Sequence, residues 1–210
     1  MIDRLEANGG LVLAKSNTPE FAAGGSTFNE VFGKTRNPWN TSLTCGGSSG
    51  GSAVALATGE IWLAHGSDHG GSLRKPGSFC SVVGLRPSPG RVTRGLVGNL
   101  FSPSSVEGPM ARDVPDIALM LDAITGRDNR DPLTIHPPAR SFFDTTMAAL
   151  ARGRDGLAGK RIGFTVDYGS SVPVARAVRE VTEAAAYRFE DMGCVVEEAF
   201  PALGTIAEVF

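Results

Sequence analysis

Apolar positions fall into short clusters of helix or strand length, separated by glycine, proline and polar turns. Residues 1–7 read as the last turns of a helix, with Ile2 and Leu5 on one side and Asn8-Gly9-Gly10 as its stop. Residues 11–14 read as a short buried strand, and Pro19-Glu20-Phe21 as a brief helical turn. Residues 24–44 form a long irregular segment, and a loop of that length inside a compact domain is usually functional. An Ala-rich run predicts a helix over 49–58, stopped at Gly59. Residues 61–64 and 81–85 read as strands, with a turn cluster at 86–90, and residues 91–112 as irregular. Asp113 is placed to cap a helix over 114–125, with Ile117, Leu119, Met120, Leu121 and Ile124 apolar. A polar connection over 126–140 leads to a helix over 141–152 and a strand over 160–165. A long amphipathic helix is expected over 172–192, its apolar face made by Ala175, Val178, Val181, Ala185 and Phe189. Gly193 ends it, a strand follows over 194–199, and 206–210 reads as the start of another apolar helix, so both chain ends look cut. Alternating strands and helices without internal repeats predict an α/β fold with a mixed or parallel sheet.

Composition narrows the class without naming a function. Of 210 residues, 41% are hydrophobic and 20% charged, enough apolar content for a substantial core. A net charge of -2 gives no general attraction to nucleic acid or to anionic membranes. Three cysteines, an odd number without metal-ligand spacing, fit reduced thiols. The N-terminal MIDRLEANGG carries charges where a signal peptide needs an apolar run, and no apolar stretch reaches the ~18–20 residues of a membrane span. The expectation is a soluble, cytoplasmic protein.

The chemistry concentrates between Cys45 and Cys80, where two Gly/Ser loops, 46–52 and 66–72, flank an apolar segment. Glycine lets a backbone pass close to a ligand, serines supply hydroxyls, and successive N–H groups form an anion-binding nest. This suits hydrolysis through a serine with a backbone oxyanion hole. Gly47-Ser48-Ser49-Gly50-Gly51 also matches Gly-x-Ser-x-Gly, but a polar loop precedes it where a nucleophile elbow needs a strand. His136, in a Pro-containing connection, is a poor base for such a triad. A nucleotide-binding loop lacks its lysine, since Ser52 stands in that place. His65 and His69 are four apart on a strand and loop with no third ligand spaced to match, so no metal is expected.

The ordered motifs resemble the amidase signature family. They are Gly46-Gly47-Ser48-Ser49-Gly50-Gly51-Ser52, then Gly66 through Pro76, Phe79-Cys80, Val83-Gly84-Leu85-Arg86-Pro87 and Pro89-Gly90-Arg91-Val92. Upstream, the segments 14–22 and 35–39 are similar too, the signature core spans 45–92, and the likeness is strong over residues 1–125. The resemblance implies an amidase-signature α/β fold, a central mixed sheet covered by helices on both faces, with 1–210 as part of one domain. It implies a serine nucleophile at Ser72 and a bridging serine at Ser48, held by a cis peptide bond and 24 residues earlier, as in the family. N–H groups of His69, Gly70, Gly71 and Ser72 would form the oxyanion hole, with Ser49, Asp68 and Arg74 in support. Capping the following helix is the other role open to Ser49, and a surface ion pair the other role open to Asp68 and Arg74.

One departure matters. The family's base is a lysine in a Gly-(Val/Ile)-Lys-Asp segment, which this chain does not contain; Lys15 aligns with a later, non-catalytic lysine. The implied activity is hydrolysis of a carboxylic amide through a Ser72 acyl-enzyme, without cofactor. Its alternatives are a glutaminase like the A-type component of a glutamyl/aspartyl-tRNA amidotransferase, or an inactive scaffold. The expected partner is a small-molecule amide, with no nucleic acid and no membrane; a homodimer is left open.

Overall fold

Helix α1 (Ile2–Ala7) opens the chain and ends at Asn8, whose side chain donates to the Arg4 carbonyl at 2.8 Å. The structure, a computed structural model, describes residues 1–95 and 99–201. Its residues fall into two compact units, Met1–Met147 and Ala148–Phe210. In the first unit, a small hairpin of β1 (Phe28–Asn29) and β2 (Gly33–Lys34) interrupts the long segment after α1. Next come α2 (Gly50–Ala57), β3 (Leu63–Asp68), α3 (Arg74–Cys80), β4 (Val83–Gly84), β5 (Val106–Ala111) and α4 (Val114–Ile124). Helix α5 (Phe142–Arg152) lies across the division between the units.

Strands β3, β5 and β4 form one antiparallel sheet with β5 in the middle. Strand β3 alternates, with Ala64, Gly66 and Asp68 buried, as expected of a strand with one core face. The main core gathers Ala53 and Leu56 of α2, Ala64, Leu73, Cys80 of α3, Met110 of β5 and Cys45. On the other side, Met120, Leu121 and Ile124 of α4 join Val92, with Leu5, Leu63, Leu85 and Phe142 packed around them. Asp113 caps α4 by accepting the Asp116 N–H at 2.9 Å.

Three differences from the sequence-based expectation have physical causes. Helix α3 is hidden behind Pro76-Gly77, yet Pro76 sits in its first turn, where a missing N–H costs nothing. Strand β5 lies in a stretch read as irregular because Gly108-Pro109 looks like a breaker; Pro109 sits opposite His65, and its carbonyl accepts the Leu85 N–H at 3.1 Å. Residues 11–14 are not a strand. No partner strand flanks them among the described residues, and Leu11 is 81% exposed.

In the second unit, β6 (Arg161–Phe164) and β7 (Val195–Glu198) pair in parallel across α6 (Arg176–Tyr187), the crossover that parallel strands require. Helix α6 starts after Pro173 rather than at 172. It buries Ala186 and half-buries Arg179, Thr182 and Glu183, a different stripe from the expected one; Val181 is 69% exposed. Arg179 pairs with Asp167, which draws that polar stripe inward. The expected helix over 206–210 lies outside the described residues. Among the described residues, no helix is long and apolar enough to cross a membrane.

Candidate active site

The two Gly/Ser loops meet through their backbones. The Ser49 N–H donates to the Ser72 carbonyl at 3.3 Å, so Ser48 and Ser72 lie on stretches of chain that touch. The Gly47–Ser48 peptide is cis, Ser48 is buried and Ser72 half-buried. Ser49 stands at the N-cap position of α2 without capping it. Its hydroxyl instead lies 3.4 Å from the Ser67 carbonyl and accepts the Ser67 N–H at 3.3 Å, tying loop 46–52 to β3. Ser52 ties the same helix to β3 by donating to the His65 carbonyl at 2.9 Å.

Asp68, fully buried at the end of β3, organises the turn that carries Ser72. Its Oδ1 accepts the Gly71 N–H at 2.8 Å, and its Oδ2 accepts the N–H groups of Leu73 at 3.2 Å and Arg74 at 3.4 Å. The Arg74 guanidinium grips both oxygens, Nε to Oδ2 at 3.0 Å and Nη2 to Oδ1 at 2.9 Å. Burial alone would raise the Asp68 pKa. The Arg74 hydrogen bonds and the Gly71 and Leu73 amides outweigh it and hold the carboxyl well below the usual range.

Arg86 completes the arrangement, and no sequence motif assigns it this role. Its Nη1 donates to Asp68 Oδ1 at 3.1 Å and to the Asp68 carbonyl, while Nη2 reaches the Ser104 carbonyl at 3.1 Å. Eighteen residues separate Arg86 from Asp68, so no local pattern joins them. Thr27 is a second omission. Fully buried, its hydroxyl donates to the Gly46 carbonyl at 2.9 Å and lies 3.4 Å from the Ser48 carbonyl. The only signal for it is the length of the segment that carries it.

Below the turn, Leu73 is fully buried against all three strands of the sheet. A Cβ on Gly66 would come within 2.7 Å of Leu73 Cδ2, and one on Gly108 within 2.8 Å of Cδ1. One on Gly84 would overlap the Leu73 carbonyl oxygen. A glycine on each of β3, β4 and β5 therefore clears the space in which the residue after Ser72 is seated.

Of the four amides expected to stabilise an oxyanion, that of Gly71 is committed to Asp68. Those of Gly70 and Ser72 donate to no group among the described residues. His69 and Gly70 are exposed at the turn. His65 is turned to Glu107, with Nε2 2.8 Å from Oε2. Lys15 is exposed on the segment before Ser16, whose hydroxyl lies 2.9 Å from that of Ser52.

The family model for Amidase matches residues 1–209. The chain is similar to the A component of the Glutamyl-tRNA(Gln) amidotransferase of Rubrobacter xylanophilus, 43% identical over 189 residues that cover 90% of this chain and 38% of that protein. Its backbone is similar to that of a bacterial aryl acylamidase of the amidase signature enzymes, with a TM-score of 0.84 and 36% identity. The match covers 94% of this chain and 39% of that one. The native peptide amidase of Stenotrophomonas maltophilia gives a TM-score of 0.83 at 37% identity, covering 99% of this chain and 42% of that one. The chain thus spans about two fifths of the length of the relatives it matches. Matched along nearly its whole length, with the backbone of solved amidase-signature enzymes, the chain belongs to the amidase family.

Proposed function

We propose that the protein carrying this chain hydrolyses a carboxylic amide through Ser72. The observation that carries this reading is the hydrogen bond from the Ser49 N–H to the Ser72 carbonyl at 3.3 Å, which sets the two serine loops side by side. In this reading Ser72 Oγ attacks the amide carbonyl carbon, and its proton passes through the Ser48 hydroxyl to the neutral amine of a lysine outside these residues. The Gly70 and Ser72 N–H groups, with no other acceptor among the described residues, would donate to the developing oxyanion. Collapse of the tetrahedral intermediate breaks the C–N bond, and the proton returns through Ser48 to the departing amine. Water then attacks the Ser72 ester by the same route, releasing the acid. Asp68, Arg74 and Arg86 fix the turn and do not exchange protons with substrate. A cytoplasmic setting accords with the three free cysteines, Cys45, Cys80 and Cys194.

A second reading is a glutaminase that supplies ammonia within an amidotransferase, supported by the similarity to the A component of Glutamyl-tRNA(Gln) amidotransferases. Amine release from a panel of aliphatic, aryl and glutamine amides separates the two. The Ser72→Ala variant is expected to lose activity on every amide the wild type accepts, by at least about 10³-fold. Turnover that persists in that variant would sink the Ser72 assignment.

A further inference from the structure

Two cations occupy the first turn of α3 directly after Ser72, and they are treated differently. Arg74 is neutralised by Asp68, whereas the Lys75 ammonium faces no carboxylate among the described residues. That position is unfavourable for a cation, because the N-terminus of a helix already carries partial positive charge. No acidic residue offsets it in that turn.

The Lys75 side chain nevertheless does not simply extend into water. It folds back over the residue before the nucleophile: a Cβ on Gly71 would lie 3.2 Å from Lys75 Cε, 3.3 Å from Cγ and 3.4 Å from Cδ. The Nζ comes to Gly25, whose Cβ would lie 3.5 Å from it. Gly25 belongs to the segment that covers the bridging-serine loop, since a Cβ on Gly47 would meet the Ser26 backbone at 3.0 Å and the Gly24 carbonyl at 3.1 Å. The ammonium therefore stands between the two segments that border Ser48 and Ser72, within about 10 Å of the Ser72 Cα by backbone and bond lengths. Arg74 and Arg86 both pair with the Asp68 carboxylate, and Lys75 adds a third cation beside this turn.

We propose that Lys75 forms an anion subsite beside the nucleophile and selects amides that carry a carboxylate a few bonds from the scissile carbonyl, such as the monoamides of short dicarboxylic acids. This rests on the amidase reading given above. That upper bound of about 10 Å leaves room for a four- or five-carbon chain with its amide carbonyl at Ser72 and its far carboxylate at the ammonium. The remote carboxylate–ammonium contact orients the carbonyl before attack, which is where binding energy of a non-reacting group is most useful.

The test compares succinamate with neutral butyramide in the full gene product, for the wild type, Lys75→Gln and Lys75→Arg. The ratio of kcat/KM for succinamate over butyramide is expected to fall about 10-fold to 100-fold in Lys75→Gln, as loss of one charge-assisted hydrogen bond implies, and to be largely restored in Lys75→Arg. In the wild type the ratio should also fall as ionic strength rises. A ratio that stays the same in Lys75→Gln overturns the subsite. Succinate alone is titrated in parallel, read as thermal stabilisation. Stabilisation of the wild type but not of Lys75→Gln supports the subsite even if neither amide is turned over, a result that would count only against the amidase reading. Equal stabilisation of both forms, or none of either, overturns the subsite whatever the catalytic outcome.

Discussion

Replacing Asp68 by asparagine tests how the turn that carries Ser72 is held. The change keeps the size of the side chain and removes its charge. Oδ1 accepts from Gly71, Arg74 Nη2 and Arg86 Nη1, and Oδ2 from the Leu73 and Arg74 N–H groups and Arg74 Nε. Whichever way the amide is turned, its NH2 faces three donors where an oxygen stood. Removing one partner of a buried ion pair costs about 3–5 kcal/mol. The lower end applies here because the Arg74 side chain is 56% exposed and its share is screened, while Arg86 at 25% is less so. At about 2–4 °C per kcal/mol for a domain of 150–250 residues, the melting temperature of the domain that carries this turn should fall by roughly 6–12 °C. The acid dependence follows from the same site. The folded-state pKa of Asp68 is lowered, so its stabilisation is complete above the unfolded value of about 3.9 and is lost as pH falls through the folded value. The gap between wild type and Asp68→Asn should therefore be widest above pH ~5 and close progressively below pH ~4. Calorimetry across pH 3–7 measures both. A melting temperature within about 2 °C of wild type at pH 7, or a gap that widens on acidification, would show that the Asp68 charge does not hold the turn.

Two other outcomes depend on packing. Gly108→Ala should lower stability and activity together, since its Cβ would overlap the Leu85 carbonyl and stand 2.8 Å from Leu73 Cδ1; a cost of about 1–3 kcal/mol is expected from overpacking, and unchanged denaturant midpoints would contradict it. Burial, aided by the neighbouring Cys45, pushes the fully buried Cys80 thiol up to about 11, so native alkylation at pH 8 should run at least about 100-fold slower than in the denatured chain. Equal rates by mass spectrometry would show the thiol to be accessible and ordinary.

Much of the candidate site is legible in the sequence because its residues sit in short motifs. Ser48, Ser49, Ser72, Asp68 and Arg74 all lie in the two loops or next to them, and the structure joins them through Asp68 and the Ser49–Ser72 backbone contact. Helices with an intact local code, such as α4 behind the Asp113 cap, were also readable. What escaped depends on long-range fit. Pro76 and Pro109 look like breakers until their N-terminal-turn and sheet contexts are known. Arg86 and Thr27 act across 18 and 19 residues; Arg86 lies in a recognisable motif, but nothing local ties it to Asp68, and nothing in its own neighbourhood marks Thr27. The reach of Lys75 back over Gly71 is likewise a matter of side-chain path rather than pattern. The expected apolar face of α6 followed the helical spacing of apolar residues, whereas the observed buried stripe runs through Arg179, Thr182, Glu183 and Ala186, with Arg179 paired to Asp167.

In the proposed reaction Ser72 is a nucleophile activated through its neighbour Ser48. A fluorophosphonate offered to the full gene product, followed by intact mass and peptide mapping, tests it most directly. One stoichiometric adduct is expected on Ser72, absent in Ser72→Ala and strongly slowed in Ser48→Ala. An adduct on another serine, or labelling of Ser72 at the same rate without Ser48, would contradict it.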